Sequence, residues 1–346
     1  MAQVGPRTGN PVPDLPAFVD RLESLRRESG IQGLSVAVVK DQSILLALGL
    51  GYADAEHGIL ASAETPYDIA SVAKPLSAVV ALRLAEQGTV DLDRPMAEYS
   101  EWEAFCAEFS QQPIVFAENL RCAPPVHTLR NLLSHTASGI PGERFSYNPV
   151  LYSWASRPLM AAANDSFSAL VEEYVFVPAG MIHSARKHRN LPLRGDIAER
   201  LALPYRRNAS GASERSPTMP PQGDGAAGGV VTTALDLARF DIALDQGKLI
   251  SRESRDAMMT PTRSGDGASL PYGLGWFVQE YRGHPLVWHS GWWENAYSAL
   301  YLKVPDLGVS VILLANGEGV WRGNPLDKAE VRQSPFARAF LDAFVD

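Results

Sequence analysis

Tyr67-Asp68-Ile69-Ala70-Ser71-Val72-Ala73-Lys74-Pro75-Leu76-Ser77 leads into an Ala- and Leu-rich run that continues to Gln87 and stops at Gly88. The run predicts a long helix from about Ser71, with Ser71 and Lys74 at its start. Their i, i+3 spacing puts both side chains on one helical face. The positive end of the helix favours negative charge developing at Ser71. A desolvated Lys beside that serine loses its proton near neutral pH and acts as a base, and the Ser71 N–H is placed to hold an oxyanion. Taken alone, the pair is better read as a plain N-cap serine with a surface lysine.

Working outward toward the N-terminus, Phe18, Leu22 and Leu25 repeat at helical spacing before Gly30. Leu34–Val39 and Ile44–Tyr52 are β-prone runs around Lys40-Asp41-Gln42, a hairpin signal despite an unusual turn pair. Toward the C-terminus, Glu101–His127 reads as an inserted loop with a short helix. Phe167–Phe176, Leu235–Gln246 and Arg252–Met259 read as helices, with Asn208–Gly229 as loop between them. Leu274–Tyr281, Leu286–His289, Tyr297–Lys303 and Val309–Ala315 then read as four strands. Ser334 and Pro335 start a last helix that runs through Phe344. This order implies one antiparallel sheet built from both chain ends, flanked by terminal helices, with a helical insertion (α/β plus all-α). The expected division is a sheet domain of residues 1–68 and 268–346 and a mainly helical domain of residues 69–267, with the active site in the cleft between them.

The 346 residues suffice for this, and 46% hydrophobic with 20% charged residues suits a large buried core. A net charge of −8 with scattered basic residues argues against nucleic acid. No apolar run approaches the ~20 residues of a membrane span, and the first residues lack the apolar core of a secretory signal. That leaves a cytoplasmic protein, or a periplasmic or secreted one that has lost its leader. Cys106 and Cys122 read by default as free thiols, with a disulfide as the alternative. The dispersed histidines suggest no metal, and no cofactor is expected. Gly-x-Ser-x-Gly is absent, and Asp54 stands where a third dinucleotide-binding glycine would follow Gly49-x-Gly51.

Two further segments could carry chemistry. Tyr147, in Phe145-Ser146-Tyr147-Asn148-Pro149, could relay a proton if a nearby cationic lysine lowered its pKa. His289-Ser290-Gly291-Trp292 offers a proton-carrying His, a glycine that admits a substrate close to the backbone, and a second oxyanion donor in the Trp292 N–H. Each has an ordinary alternative, a core tyrosine and a hairpin with a buried histidine.

In order and context these segments resemble the serine β-lactamase and penicillin-binding-protein family, in its class C β-lactamase, esterase and D-peptidase branch. The resemblance runs from about Leu34 to Asn316. It includes Thr128-Leu129-Arg130-Asn131-Leu132-Leu133-Ser134-His135-Thr136, Pro178-Ala179-Gly180-Met181, Ala227-Gly228-Gly229-Val230-Val231-Thr232-Thr233 and Tyr272-Gly273-Leu274-Gly275-Trp276. It implies a β-lactamase/DD-peptidase-like fold. It makes Ser71 the nucleophile, Lys74 its activator and Tyr147 the proton-transfer tyrosine, with His289-x-Gly291 where β-lactamases usually have Lys-Thr-Gly. The family pattern is Tyr-x-Asn, but here Pro149 occupies the Asn place and Asn148 lies one residue early, which weakens recognition of a substrate amide.

The expected reaction is acyl transfer through an acyl-enzyme on a small-molecule ester, amide or β-lactam, most of all a carboxylesterase activity, with Trp292-Trp293 as an aromatic wall. The alternatives are a β-lactamase or D-amino-acid peptidase (DD-peptidase), or a non-hydrolytic member, either a penicillin sensor that stays acylated or a degenerate binding protein.

Overall fold

Strands from the two ends of the chain meet in one sheet. The structure is a computed structural model that describes residues 13–99, 101–111, 127–217, 223–321 and 329–346. β1 (Gly33–Lys40) and β2 (Ser43–Asp54) form the first hairpin, and β3 (Ile59–Leu60) adds a short outer strand. Asp41 and Gln42 both adopt positive φ in the hairpin loop, the handedness that matches strand twist, so twist prevails over residue preference there. From the other end come β9 (Phe277–Tyr281), β10 (His284–Trp293), β11 (Tyr297–Val304) and β12 (Val309–Ala315). Antiparallel pairing of β1 with β12, from Leu34 opposite Ala315 to Lys40 opposite Val309, joins the halves in the order β3-β2-β1-β12-β11-β10-β9. β1 and β12 are apolar on both faces and almost wholly buried, so the sheet is covered on both sides.

One cover is the pair of terminal helices, Leu15–Glu28 and Pro335–Phe344, whose Phe18, Leu22, Phe336 and Phe340 pack on Val36, Leu300 and Val311. Asp14 and Ser334 cap their N-termini. The other cover is the insertion, centred on the helix Ala73–Glu86, which buries eleven of its fourteen residues. A helix apolar all round has to sit inside the protein.

Two features depart from the sequence reading. The mainly helical middle holds a three-stranded sheet of β4 (Tyr67–Asp68), β8 (Val230–Thr232) and β5 (Ala185–Arg186). The presumed loop Asn208–Gly229 begins in a small hairpin, β6 (Tyr205–Arg207) with β7 (Ser213–Arg215). These strands are two or three residues long, too short to leave a periodic signature. Within the 101–127 stretch the helix is Trp102–Gln111. Its Cys106 is disulfide-bonded, which corrects the expectation of two free thiols, and Cys122 lies outside the described residues. No helix among the described residues is long and apolar enough to cross a membrane.

Candidate functional site

Ser71 sits in a single 3-10 turn, Ala70–Val72, that runs directly into the helix Ala73–Glu86. Ala70 adopts φ +47, a left-handed conformation that costs a non-glycine residue about 1–3 kcal/mol and is held by its surroundings. Here the Ala70 N–H donates to Asp68 Oδ1 at 2.9 Å. Asp68 also accepts from Trp293 Nε1 at 2.8 Å and pairs with Lys187 Nζ at 2.9 Å. One buried carboxylate thus ties the serine turn to β10 and to the strand β5 region.

Lys74 lies one turn on, fully buried. Its Nζ donates to Ser71 Oγ at 2.8 Å and to the Ala227 carbonyl at 3.2 Å, and it lies 5.1 and 5.4 Å from the ring centres of Tyr147 and Tyr152. Burial pushes its pKa well below the ordinary lysine value. The carbonyl that orients Lys74 belongs to a loop clamped from below. Buried Arg186 donates to the Gly228 carbonyl, to Gly225 O at 3.0 Å and to Asp224 Oδ1 at 2.9 Å. Ser77, one further turn along the helix, donates to Ala226 O at 2.6 Å.

Tyr147 comes from the insertion. Burial raises its pKa, and its interaction with Ser71 offsets part of that rise. Its hydroxyl is buried and makes no well-formed hydrogen bond. The sequence-based expectation of a lowered tyrosine pKa is corrected: Tyr147 is a neutral phenol, because desolvation outweighs the influence of nearby polar groups.

His289 lies in the middle of β10, fully buried. Its Nδ1 donates to Ser290 O at 2.7 Å, which leaves Nε2 to accept from the Tyr272 hydroxyl at 2.9 Å. Burial and the neighbouring Lys74 push its pKa well down. Both ring nitrogens are therefore engaged, and neither is bonded to Tyr147. The proton-carrying role that the sequence suggests for His289 is not supported by this geometry.

β9 pairs with β10 only as far as Trp288, so among the described residues His289–Trp293 have no strand partner on that side. Gly291 makes the approach of the serine turn possible: a Cβ there would lie 2.1 Å from Ile69 O. Strand alternation separates Trp292 from Trp293. Trp293 lies against Gly228 and Asp68, whereas Trp292 turns to Glu318, accepting at 2.8 Å from its Nε1. The expected aromatic wall is one tryptophan, not two. Asn148 is also redirected. It caps the helix Pro149–Trp154, with Oδ1 accepting from Val150 and Leu151 N–H at 3.1 and 3.0 Å, and it is 3% exposed. Its carbonyl oxygen is spent on the helix and not on a substrate. Pro149 at the first helical position suits that cap.

Sequence reading brought Ser71, Lys74, Tyr147, His289, Gly291 and Trp292 forward, and the fold collects them from three separated segments. It missed Asp68, Arg186 and Tyr272, which hold those segments together through single side chains on distant strands or loops. Asp54, Glu56 and His57 bring three potential metal-ligand atoms together. The Asp54 carboxylate is already occupied there by His57 Nδ1 at 2.6 Å and two backbone N–H groups.

Comparison with known proteins accounts for this arrangement. Residues 18–333 match the family model described as Beta-lactamase, and the chain belongs to that family of serine hydrolases. PbpX of Bacillus subtilis (strain 168), provisionally named a penicillin-binding protein, is 25% identical over 287 residues, 75% of this chain. The chain spans 65% of the length of PbpX. Among solved structures, the D-amino acid amidase of Ochrobactrum anthropi SV3 superposes with a TM-score of 0.74 at 19% identity, covering 95% of this chain and 98% of its own. EstCE1, described as a hydrolase with promiscuous acyltransferase activity, superposes with a TM-score of 0.70 at 17% identity, covering 94% and 98%. Both likenesses establish the β-lactamase/DD-peptidase fold.

Proposed function

We propose that the chain is a carboxylesterase that works through a Ser71 acyl-enzyme. The observation that carries the acyl-enzyme is Lys74 Nζ, 2.8 Å from Ser71 Oγ and fully buried, with no carboxylate bonded to it among the described residues. Its neutral amine takes the Ser71 proton as Oγ adds to the ester carbonyl carbon. The N–H groups of Ser71 and Trp292 hold the resulting oxyanion. Collapse breaks the bond to the leaving oxygen, which receives a proton from Tyr147, and Tyr147 is reprotonated from Lys74. Water then adds to the acyl carbon, giving a proton to the same Lys74–Tyr147 pair; the bond from that carbon to Ser71 Oγ breaks, the acid leaves, and the pair returns the proton to Oγ.

Ester preference over amide rests on what the site lacks. With His289 bonded to Tyr272 and Ser290, leaving-group protonation falls to a phenol of raised pKa. That suffices for an aryl or alkyl alcohol better than for an amine. Asn148 is spent as a cap, and Pro149 has no amide to offer, so little interaction energy favours an amide substrate. Short-acyl p-nitrophenyl esters should show at least about tenfold higher kcat/KM than a chromogenic cephalosporin or a D-amino-acid amide, roughly 1.4 kcal/mol. Equal or better cephalosporin turnover would replace the esterase by a β-lactamase. Stable acylation of Ser71 without turnover of any of the three would favour the sensor.

A further inference from the structure

Resting on that reading of Tyr147, we infer that His135 is the residue that positions Tyr147 against Ser71, through paired hydrogen bonds on either side of it. The His135 carbonyl accepts from Ser146 N–H at 2.8 Å, and its imidazole Nδ1 accepts from Asn148 N–H at 3.0 Å. The residue between those two donors is Tyr147. The imidazole also lies on the Tyr147 ring, with centres 4.3 Å apart, and contacts Tyr152 and Tyr272 at 5.2 and 4.8 Å. Tyr152 in turn donates to Lys74 O at 2.9 Å, and Tyr272 to His289. His135 therefore touches Tyr147 itself and a neighbour of both Lys74 and His289, while bonding to none of the reacting atoms.

The fold maintains this arrangement against two penalties. His135 is held at φ +55, where a non-glycine residue is strained. Because Nδ1 accepts, the ring proton sits on Nε2, and that N–H is buried with no partner among the described residues. An unsatisfied buried donor costs about 1–3 kcal/mol. The left-handed backbone is what turns the imidazole back so that carbonyl and ring reach the same segment. Burial, Lys74 and His289 all disfavour a second ring proton, which keeps Nδ1 free to accept. A histidine retained for bulk alone would need neither the strained backbone nor the aligned Nδ1.

The test is a cycle of His135→Gly, His135→Asn and Tyr147→Phe in the full chain, measured on a p-nitrophenyl ester with thermal melts alongside. Glycine relieves the backbone and removes the acceptor. Asparagine tolerates positive φ and offers Oδ1 near the Nδ1 position. His135→Gly should lower kcat by at least about thirtyfold with KM changed less than about threefold, and His135→Asn should recover most of that loss. In the Tyr147→Phe background, His135→Gly should change kcat by less than about threefold, since its effect passes through the missing hydroxyl. An undiminished loss in that background, or wild-type kcat in His135→Gly, overturns the proposal. Nitrogen shifts of labelled histidine in the unmutated protein decide it without any variant: the Nε2–H tautomer at pH 7 supports it, and an Nδ1–H or cationic His135 overturns it. Failure of the parent reading is distinct, since Ser71 would then resist a fluorophosphonate in the wild-type chain whatever the state of His135.

Discussion

Lys74 and Lys303 are equally buried, at 0% and 2% exposure, yet their surroundings drive them in opposite directions. Among the described residues Lys74 meets a hydroxyl, a carbonyl and aromatic rings but no carboxylate, and burial pushes its pKa well down. Lys303, on β11, donates to Asp241 at 2.9 Å and Asp245 at 2.6 Å. Burial alone would lower its pKa, but the two carboxylates outweigh it and the pKa rises. Asp241 also accepts from Tyr301 and Ser310, so the pair ties the helix Ala234–Asp245 to the sheet. The same side chain at the same depth is the proposed base in one place and a structural cation in the other. What separates them is whether the fold supplies a counter-charge.

Four experiments press on that contrast. The largest effect belongs to Lys74→Met, which should cut ester kcat by at least about 10³-fold, about 4 kcal/mol in barrier, because Ser71 loses its proton acceptor. The folded state should survive, since the change removes a buried amine that no carboxylate among the described residues balances. Activity within tenfold of wild type would remove Lys74 from the mechanism.

Lys303→Met should do the reverse. It strands Asp241 and Asp245 in the interior and should destabilise the fold by about 3–5 kcal/mol. Ser71 labelling should be unchanged in whatever protein remains folded at low temperature. A melt indistinguishable from wild type would show that the pair is not holding the helix to the sheet.

A smaller effect is expected from Arg186→Lys, which keeps the charge but cannot bond Gly228, Gly225 and Asp224 together. The loop carrying Ala227 O should loosen and kcat fall by about tenfold, about 1.4 kcal/mol. Unchanged kcat with normal folding would mean that Lys74 does not depend on that carbonyl.

The smallest effect is in the pH dependence of stability, and the two lysines give it opposite signs. Lys74 has a lowered folded pKa, so the unfolded chain binds more protons between that value and about 10.4, and stability rises with pH across this window. Lys303 has a raised folded pKa. Its contribution is complete below about 10.4 and is lost as pH climbs through the folded value. Ester kcat/KM should likewise rise with pH as Lys74 deprotonates and level off below pH 10. Denaturant titrations of wild type and Lys74→Met should diverge as pH falls from 10 to 7, the variant being the more stable at the lower pH. A rate limb centred near the ordinary lysine pKa would place Lys74 in water.

Long periodic elements were legible in the sequence. The helix after Ser71, the β1–β2 hairpin and the four C-terminal strands follow from runs long enough to declare a period, and caps such as Ser334-Pro335 mark an end by local chemistry alone. Ser71-x-x-Lys74 was legible for the same reason, since i, i+3 spacing on a helix already determines that two side chains share a face. The protonation states were not. Tyr147 reads as an acidified tyrosine beside a cation, and only its burial makes it a neutral phenol. His289 reads as a proton carrier, and only Tyr272 and Ser290 show that both its nitrogens are engaged. Trp292 and Trp293 look like one surface until strand alternation turns them apart, and Asn148 looks available until the helix after it claims its oxygen. Local sequence determines elements, because propensity and spacing act over a few residues. The charge and reach of a side chain depend on which distant groups exclude water from it, and only the tertiary fold decides that.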